Sequence, residues 1–329
     1  MIAPRDLAFP DWCGAVRRVL VTGGAGFVGR HAVAALIARG FEVHAVGRTA
    51  PPGVHAFHPA DLLDASQRRA AVRAAGASHL LHLAWVTEPG RYWHAPDNLD
   101  WTAASLELVR TFRETGGRRA VVAGTCAEYD WTALAPVSQR AATSERLDET
   151  APCRPATLYG AAKDGLRRIL ASYAVTAGLS LSWGRLFYLY GPGETPGRLV
   201  GDAVRALLTG QRLATSEGRQ RRDFLHVADA GAAFAALLTS GVEGPVNIGS
   251  GHAVSVRQIL KGIGDLTGRP DLIDFGARPL SAAEPACIEA DIRRLTDAVG
   301  FSPRYGLETG LAETVTAWRA ALSNAASGP

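Results

Sequence analysis

Val19-Leu-Val-Thr-Gly-Gly-Ala-Gly-Phe-Val-Gly-Arg30 is the stretch that decides the fold. Its apolar start predicts a buried strand, its glycines predict a tight turn, and the apolar spacing that follows predicts an amphipathic helix ending before Gly40. A dinucleotide pyrophosphate needs this order, because glycines let the backbone approach the phosphates and a helix N-terminus offers unpaired N–H groups. Gly23, Gly26 and Gly29 depart from the ordinary G-x-G-x-x-G spacing. The stretch predicts a dinucleotide-binding fold, with a simple tight turn as the alternative.

The composition is that of a globular protein: 47% of the 329 residues are hydrophobic and 20% are charged. The net charge is only +4 and the arginines are dispersed, which argues against a nucleic-acid partner and suits phosphorylated small molecules. No apolar run approaches the length of a membrane span. Cys13, Cys126, Cys153 and Cys287 follow no metal-ligand or disulfide spacing, so we expect no bound metal and reduced thiols in the cytoplasm. Residues 1–14 are expected to be a short N-terminal extension and not a targeting peptide.

Strands and helices alternate along the first half of the chain. Apolar runs predict further strands at residues 41–46, 79–84, 119–125, 179–187 and 244–249. Amphipathic patterns predict helices at residues 65–75, 98–115, 159–177, 199–209, 255–267, 292–299 and 307–321, and an alanine-rich helix up to about 240. This alternation predicts an α/β fold with a doubly wound parallel sheet, whose ligands bind at the carboxyl ends of the strands. The aromatic-rich segment 85–96 follows one such end and is a candidate substrate contact, or packs only internally.

The second predicted strand ends at Gly47-Arg48. In a dinucleotide-binding sheet an acidic residue commonly lies here and binds the adenosine ribose hydroxyls. A cation without a carboxylate suits a ribose that carries a 2′-phosphate, so the sequence favours NADP, with NAD as the alternative. A merely solvated arginine is the other interpretation.

Tyr159 and Lys163 open a predicted helix four residues apart and therefore lie one turn apart on the same face. An ammonium beside a phenol stabilises the phenolate, so we expect the lysine to lower the pKa of the tyrosine towards neutrality. Such a pair is also common on helix surfaces by chance.

Several motifs have the order and spacing of one known family. They are Thr22-Gly-Gly-Ala-Gly-Phe-Val-Gly29, Asp61-Leu62, His82-Leu-Ala84, Asn98, Gly124-Thr-Cys-Ala-Glu-Tyr129, Tyr159-x-x-x-Lys163, Gly184-Arg-Leu-Phe187, Tyr190-Gly-Pro192, Arg222-Asp-Phe-Leu-His-Val227, Asn247-Ile-Gly-Ser250 and Ala290-Asp291. Over about residues 18–318 the chain resembles the extended short-chain dehydrogenase/reductases, the NAD(P)-dependent family of nucleotide-sugar epimerases, dehydratases and reductases. The resemblance implies a Rossmann-type sheet with a smaller C-terminal α+β substrate-binding domain. Residues 15–186 and about 220–250 would form the first domain, and residues 187–219 and about 251–322 the second.

The resemblance also implies roles for individual residues. Tyr159 would be the catalytic acid/base, Lys163 would tune it and hold the nicotinamide ribose, and Thr125 would hold the reacting sugar oxygen. The implied contacts with the dinucleotide are Gly23, Gly26, Phe27, Val28, Gly29, Arg48, Asp61, Leu62, Leu83, Ala84, Asn98, Tyr159 and Lys163. The implied contacts with the substrate are Thr87, Thr125, Tyr188, Arg198, Arg222 and Arg278, of which Arg222 would grip a diphosphate. The spacing from Arg278 to Asp291 is longer than in the family, and a surface ion pair is the alternative for each arginine.

Three departures from the family pattern bear on function. Gly47-Arg48 replaces the acidic residue of NAD-retaining members, and Tyr188 stands where some epimerases carry an asparagine near the substrate phosphate. Cys126 and Ala127 stand where the dehydratases carry Asp-Glu, which argues against a 4,6-dehydratase. Glu128 lies one position too late for that role unless the loop shifts.

The sequence therefore favours an NADPH-dependent reductase of a nucleotide-linked 4-keto, 6-deoxy hexose. A nucleotide-sugar 4-epimerase with retained NAD is the main alternative. A catalytically silent NADP-binding sensor and a reductase of a non-sugar ketone are the others. The predicted helices at 98–115 and 159–177 resemble the pair that forms a four-helix dimer interface in the family, so we expect a homodimer, although they could pack within one chain.

Overall fold

A computed structural model of the protein describes residues 17–138 and 146–326. Its larger sheet contains β1 (Arg18–Thr22), β2 (Glu42–Gly47), β3 (Ala56–Pro59), β4 (His79–His82), β5 (Arg119–Thr125), β6 (Ser180–Leu186) and β10 (Gly244–Ile248). These strands are all parallel and lie in the order β10-β6-β5-β4-β1-β2-β3. The predicted doubly wound parallel sheet is confirmed. The edge strand β3 was not predicted, because four residues are too short to show a strand period.

Eight helices complete the described part of the chain. They are α1 (Gly29–Ala38), α2 (Ala65–Ala75), α3 (Asp97–Glu114), α4 (Leu158–Ala177), α5 (Leu199–Leu208), α6 (Val227–Thr239), α7 (Val256–Thr267) and α8 (Leu307–Ala326). The helix predicted at 292–299 is instead a five-residue π-helical segment, Arg294–Ala298. Only Leu295 is buried there, so the segment has no apolar face that would extend it.

Two apolar layers sandwich the larger sheet. Val19 and Val21 of β1 pack with α1 and α6 on one face, whereas Leu20 packs with α2, α3 and α4 on the other. Successive side chains of a strand point to opposite faces, so a strand covered on both sides reads as a continuous apolar run. This is why the apolar run Val19-Leu-Val21, just before the glycine turn, contains no polar residue.

A second group of short strands lies after β6. β9 (Arg221–His226) pairs with β7 (Tyr188–Tyr190), β11 (Ala253–Ser255) and β13 (Cys287–Ile288). β8 (Leu213–Thr215) pairs with β12 (Ile273–Phe275). Helices α5, α7 and α8 share a separate apolar cluster that includes Val204, Ile263 and Leu311. After β6 the chain therefore enters a smaller α+β unit, while the exact domain limits stay a prediction.

Within residues 17–138 and 146–326, none of the helices has the length and apolarity needed to cross a membrane. The same residues contain no cluster of three or more His, Cys, Asp or Glu side chains arranged to hold a metal ion. The predicted extension at residues 1–14, with Cys13, lies outside the described residues.

Candidate active site

In the turn between β1 and α1, Gly23 and Gly29 leave no room for a side chain. Gly23 has a φ of +69°, and a Cβ on it would lie 2.8 Å from the backbone nitrogen of Ala84. A Cβ on Gly29 would lie 2.0 Å from the carbonyl oxygen of Gly23. The N–H of Arg30 donates to the carbonyl of Gly26 at 3.2 Å, and that of Ala32 donates to the carbonyl of Val28 at 3.0 Å, so α1 begins directly from this turn. The predicted glycines thus form a close-approach cradle at a helix N-terminus, which fits the pyrophosphate of a dinucleotide.

A hydroxyl–imidazole lock fixes the carboxyl ends of β1 and β4. The Thr22 hydroxyl accepts hydrogen bonds from the backbone N–H groups of Leu83 and Ala84, at 3.1 Å each. Its oxygen lies 2.6 Å from Nδ1 of His82, whose Nε2 lies 2.8 Å from the Ser105 hydroxyl. Burial lowers the pKa of His82 to about 3, so the imidazole is neutral at physiological pH. Sequence reasoning missed this lock, although a histidine within an apolar strand was the available signal.

The structure brings the predicted catalytic hydroxyls together. Thr125 ends β5, and Tyr159 lies in the first turn of α4, with its backbone N–H donating to the carbonyl of Trp93 at 3.1 Å. Burial raises the pKa of Tyr159, and a side-chain hydrogen bond with Thr125 acts in the opposite direction. The phenol is therefore protonated at neutral pH and hydrogen-bonded beside a second hydroxyl.

Lys163 is buried one helical turn after Tyr159. Its Nζ donates to the carbonyl of Ala123 at 2.8 Å and lies 3.8 Å from the centroid of the Trp85 ring. Burial lowers the pKa of Lys163 to about 7, and the carboxylate of Glu128 opposes this shift. The expected lowering of the pKa of Tyr159 by the lysine stays a prediction. The hydrogen bond of the amine goes to the Ala123 carbonyl, and burial of the phenol dominates.

Aromatic side chains surround Tyr159. Tyr92 and Trp93 stack at 4.5 Å between ring centroids, and both present their rings edge-on to Tyr159, at 4.9 and 5.8 Å. The Arg198 guanidinium lies 5.1 Å from the Tyr92 ring centroid and donates to the carbonyl of Thr87 at 2.9 Å. Two predicted substrate contacts, Thr87 and Arg198, therefore meet beside the aromatic segment.

The predicted diphosphate contact Arg222 lies on β9 with its side chain almost fully buried. Its Nη1 donates to the carbonyls of Arg221, at 2.7 Å, and Pro285, at 2.9 Å, and its Nη2 pairs with Glu284. The guanidinium lies 5.7 Å from the Tyr188 ring centroid, and burial raises the pKa of that tyrosine. Arg222 and Tyr188 are thus brought together, but the cation has protein partners.

A sequence model of the NAD dependent epimerase/dehydratase family matches residues 19–249. The chain belongs to this family. Its members are NAD(P)-dependent oxidoreductases and epimerases, so the protein is an enzyme of the extended short-chain dehydrogenase/reductase type, and the predicted family is confirmed.

Curated relatives and solved structures cover nearly the whole chain. It is 26% identical over 338 residues to a UDP-glucose 4-epimerase of Corynebacterium glutamicum, covering 93% of this chain and 97% of the relative. It is 28% identical over 346 residues to a dTDP-4-dehydro-6-deoxy-D-allose reductase of Streptomyces bikiniensis, covering 94% and 97%. The structure of Thermus thermophilus UDP-glucose 4-epimerase in complex with NAD superimposes with a TM-score of 0.79 at 28% identity, covering 92% of this chain and 99% of that one.

In this member of the family Asn98 has a positioning role. Its side-chain amide donates to the carbonyls of Tyr92 and Ala95 and accepts from Nε1 of Trp85, at 2.8 Å in each case. These bonds hold the segment 85–96 and place the Trp85 ring against Lys163. The predicted direct contact of Asn98 with the dinucleotide stays a prediction.

The remaining predicted contacts lie at other edges of the family's site. Arg48 is exposed immediately after β2, as a 2′-phosphate contact requires. Asp61 is exposed and accepts from the backbone N–H of Leu63 at 3.0 Å, whereas the Leu62 side chain is buried in the core. Arg278 is exposed on the segment after β12. Phe27 and Val28 lie in the glycine turn, half-buried.

The carboxylate nearest the family's dehydratase position is structural. Glu128 is fully buried, and its Oε1 accepts from the backbone N–H of Thr125 and from Nε1 of Trp183, at 2.8 Å each. Its Oε2 accepts from Nε of Arg185 at 2.8 Å. Cys126, which takes the place of the dehydratase aspartate, has its pKa raised by burial to about 12 and is a neutral thiol. The loop shift that would bring Glu128 into the chemistry does not occur.

Proposed function

We propose that the protein is an NADPH-dependent reductase of a nucleotide-linked 4-keto-6-deoxyhexose. The observation that carries this proposal is the exposed cation Arg48, which lies immediately after β2 where a ribose 2′-phosphate would bind. A reductase exchanges its cofactor at each turnover and suits NADP, whereas an epimerase uses the hydride twice and keeps a tightly held NAD. A cation at this point therefore favours reduction over epimerisation.

Each residue of the proposed site has a defined task. The dinucleotide, when bound, supplies a hydride to the carbonyl carbon. Tyr159 gives its proton to the carbonyl oxygen as that oxygen gains negative charge, and the Thr125 hydroxyl holds the same oxygen in place. Lys163, one helical turn from Tyr159, would add positive charge beside the reacting groups. The product is an alcohol, formed by addition of one hydride and one proton.

The glycine turn and Arg48 support the choice of cofactor. The cradle of Gly23 and Gly29 would hold the pyrophosphate, and the exposed cation after β2 would bind a ribose 2′-phosphate. The Streptomyces bikiniensis relative, named a dTDP-sugar reductase, supports the reaction.

A nucleotide-sugar 4-epimerase is the second candidate. The Corynebacterium glutamicum relative and the Thermus thermophilus structure carry that name, and the latter is a complex with NAD. The same tyrosine, threonine and lysine would serve, but NAD would stay bound between turnovers.

Identification of the resident cofactor tests the two candidates. The purified protein is denatured and any released nicotinamide cofactor is identified and counted per chain. The reductase predicts an empty site or loosely held NADP, together with oxidation of NADPH by a nucleotide-linked 4-keto-6-deoxyhexose. Arg48→Ala should weaken NADPH binding about tenfold and leave NADH binding unchanged, with Arg110→Ala as an exposed control. One NAD per chain would overturn the reductase.

We also infer a homodimer formed through α3 and α4. These helices carry large apolar side chains on their surface: Leu99 is 61% exposed, Ile169 52% and Val175 84%. A paired helix surface would bury these side chains. Light scattering should give twice the chain mass for the native protein and one chain mass for Ile169→Asp. A native monomer would refute the interface.

A further inference from the structure

The cation that a substrate diphosphate would meet is already paired inside the protein. The side chain of Arg222 is 4% exposed. Both hydrogens of its Nη1 are directed to backbone carbonyls, those of Arg221 and Pro285, and its Nη2 forms an ion pair with Glu284. The Glu284 carboxylate therefore occupies the position at Nη2 where an incoming anion would pair with the guanidinium.

The backbone around Glu284 is fixed, but its carboxylate can leave. The Glu284 carbonyl accepts from the N–H of Val137 at 2.8 Å, and the N–H of Ala286 donates to the carbonyl of Ala135 at 2.9 Å. The side chain of Glu284 is nevertheless 38% exposed. Rotation of this side chain into solvent would release Nη2 of Arg222 and keep the two backbone contacts of Nη1. The arginine would thus stay oriented while one of its donors becomes available.

We propose that Glu284 competes with the substrate for Arg222 and thereby sets the affinity of the protein for nucleotide diphosphates. The inference rests on the proposed function, since it assumes a diphosphate-bearing substrate. Carboxylate and phosphate oxygens both accept charge-assisted hydrogen bonds from a guanidinium, so one can replace the other at Nη2. Binding then requires the loss of an existing ion pair, and the displaced carboxylate remains near the incoming negative charge.

Removal of the competing charge should tighten nucleotide binding. Dissociation constants of UDP, dTDP and uridine are measured by calorimetry on the full chain and on Glu284→Gln and Glu284→Ala. We expect both variants to bind UDP or dTDP about 3- to 10-fold more tightly, in the range of a partly exposed ion pair beside a buried cation. Uridine, which lacks phosphates, should gain nothing. Glu114→Gln, which removes an exposed arginine-paired carboxylate on α3, should leave all three constants unchanged.

Three outcomes would overturn the proposal. Unchanged diphosphate affinity in both variants would mean that Glu284 does not compete for Arg222. Weaker affinity would mean that the carboxylate itself contacts the nucleotide. An equal gain for uridine would move the effect away from the diphosphate. Nucleotide binding by the native chain with no gain in the variants refutes this inference alone, whereas no binding by any variant refutes the proposed function as well.

Discussion

Replacement of Glu128 by glutamine should unfold the protein more easily and should affect catalysis only through the charge of Lys163, which the carboxylate stabilises. The native carboxylate accepts hydrogen bonds from the backbone of Thr125, from Trp183 and from Arg185. The glutamine oxygen can keep the first two donors, but its amide group then faces Nε of Arg185, so that two donors oppose each other. The guanidinium of Arg185, only 1% exposed, loses its buried countercharge.

The size of the effect follows from that burial. Loss of one partner of a buried ion pair costs about 3–5 kcal/mol, because the other charge stays in a medium that solvates it poorly. Native proteins are stable by only about 5–15 kcal/mol, so this loss is large. Urea denaturation of Glu128→Gln should show it as a lower midpoint at an unchanged slope. The matched control Glu114→Gln removes a carboxylate 3.7 Å from Nε of Arg110 at the surface, and should change stability by no more than about 0.5 kcal/mol.

The same variant distinguishes a structural carboxylate from a catalytic one. If Glu128→Gln kept native stability and its kcat fell about a hundredfold or more, the carboxylate would belong to the chemistry. The assignment of Glu128 to the buried network would then be refuted. A lower midpoint with a kcat reduced by less than about tenfold, measured well below the unfolding transition, supports the assignment.

Three further predictions concern the cradle, the acid and the lock. Gly29→Ala places a Cβ against the Gly23 carbonyl and should weaken dinucleotide binding at least about tenfold, as measured by fluorescence titration. The control Gly165→Ala in α4 has open space around its Cβ, so it should leave binding unchanged and raise the free energy of unfolding by about 0.5–1 kcal/mol. Similar dinucleotide binding by both variants would contradict the cradle. Tyr159→Phe should lower kcat about 10²- to 10⁴-fold and leave cofactor binding intact, and a smaller loss would remove the tyrosine as proton donor. Burial lowers the pKa of His82 from 6.5 to about 3. Between these two pH values the imidazole is protonated in the unfolded chain but not in the folded one, so the free energy of unfolding decreases as the pH falls. Urea denaturation at pH 7.5 and 5 should show a loss about 2 kcal/mol greater for the native chain than for His82→Gln, and equal losses would contradict a neutral buried imidazole.

Local sequence was sufficient wherever a feature depends on neighbours along the chain. The glycine turn, six of the seven strands of the larger sheet and the one-turn spacing of Tyr159 and Lys163 all follow from spacing and period. Thr125 was assigned from its match to the family motif, and it is the last residue of β5, at the carboxyl edge where such sheets bind ligands. β3, with four residues, and β7, β11 and β12, with three each, were missed because so few residues carry no period.

Tertiary structure decided everything that depends on charges from distant parts of the chain. Glu128 and Arg185 are 57 residues apart, and Arg222 and Glu284 are 62 residues apart. No local pattern reveals that the first carboxylate is buried and structural, or that the second pairs with the expected diphosphate contact. The burial of Tyr159 likewise depends on distant parts of the chain, and it raises the pKa of this phenol. Spacing along the chain determines which groups share a helix face. Burial and long-range pairing determine the charge state of those groups and which hydrogen-bond donors remain available to a ligand.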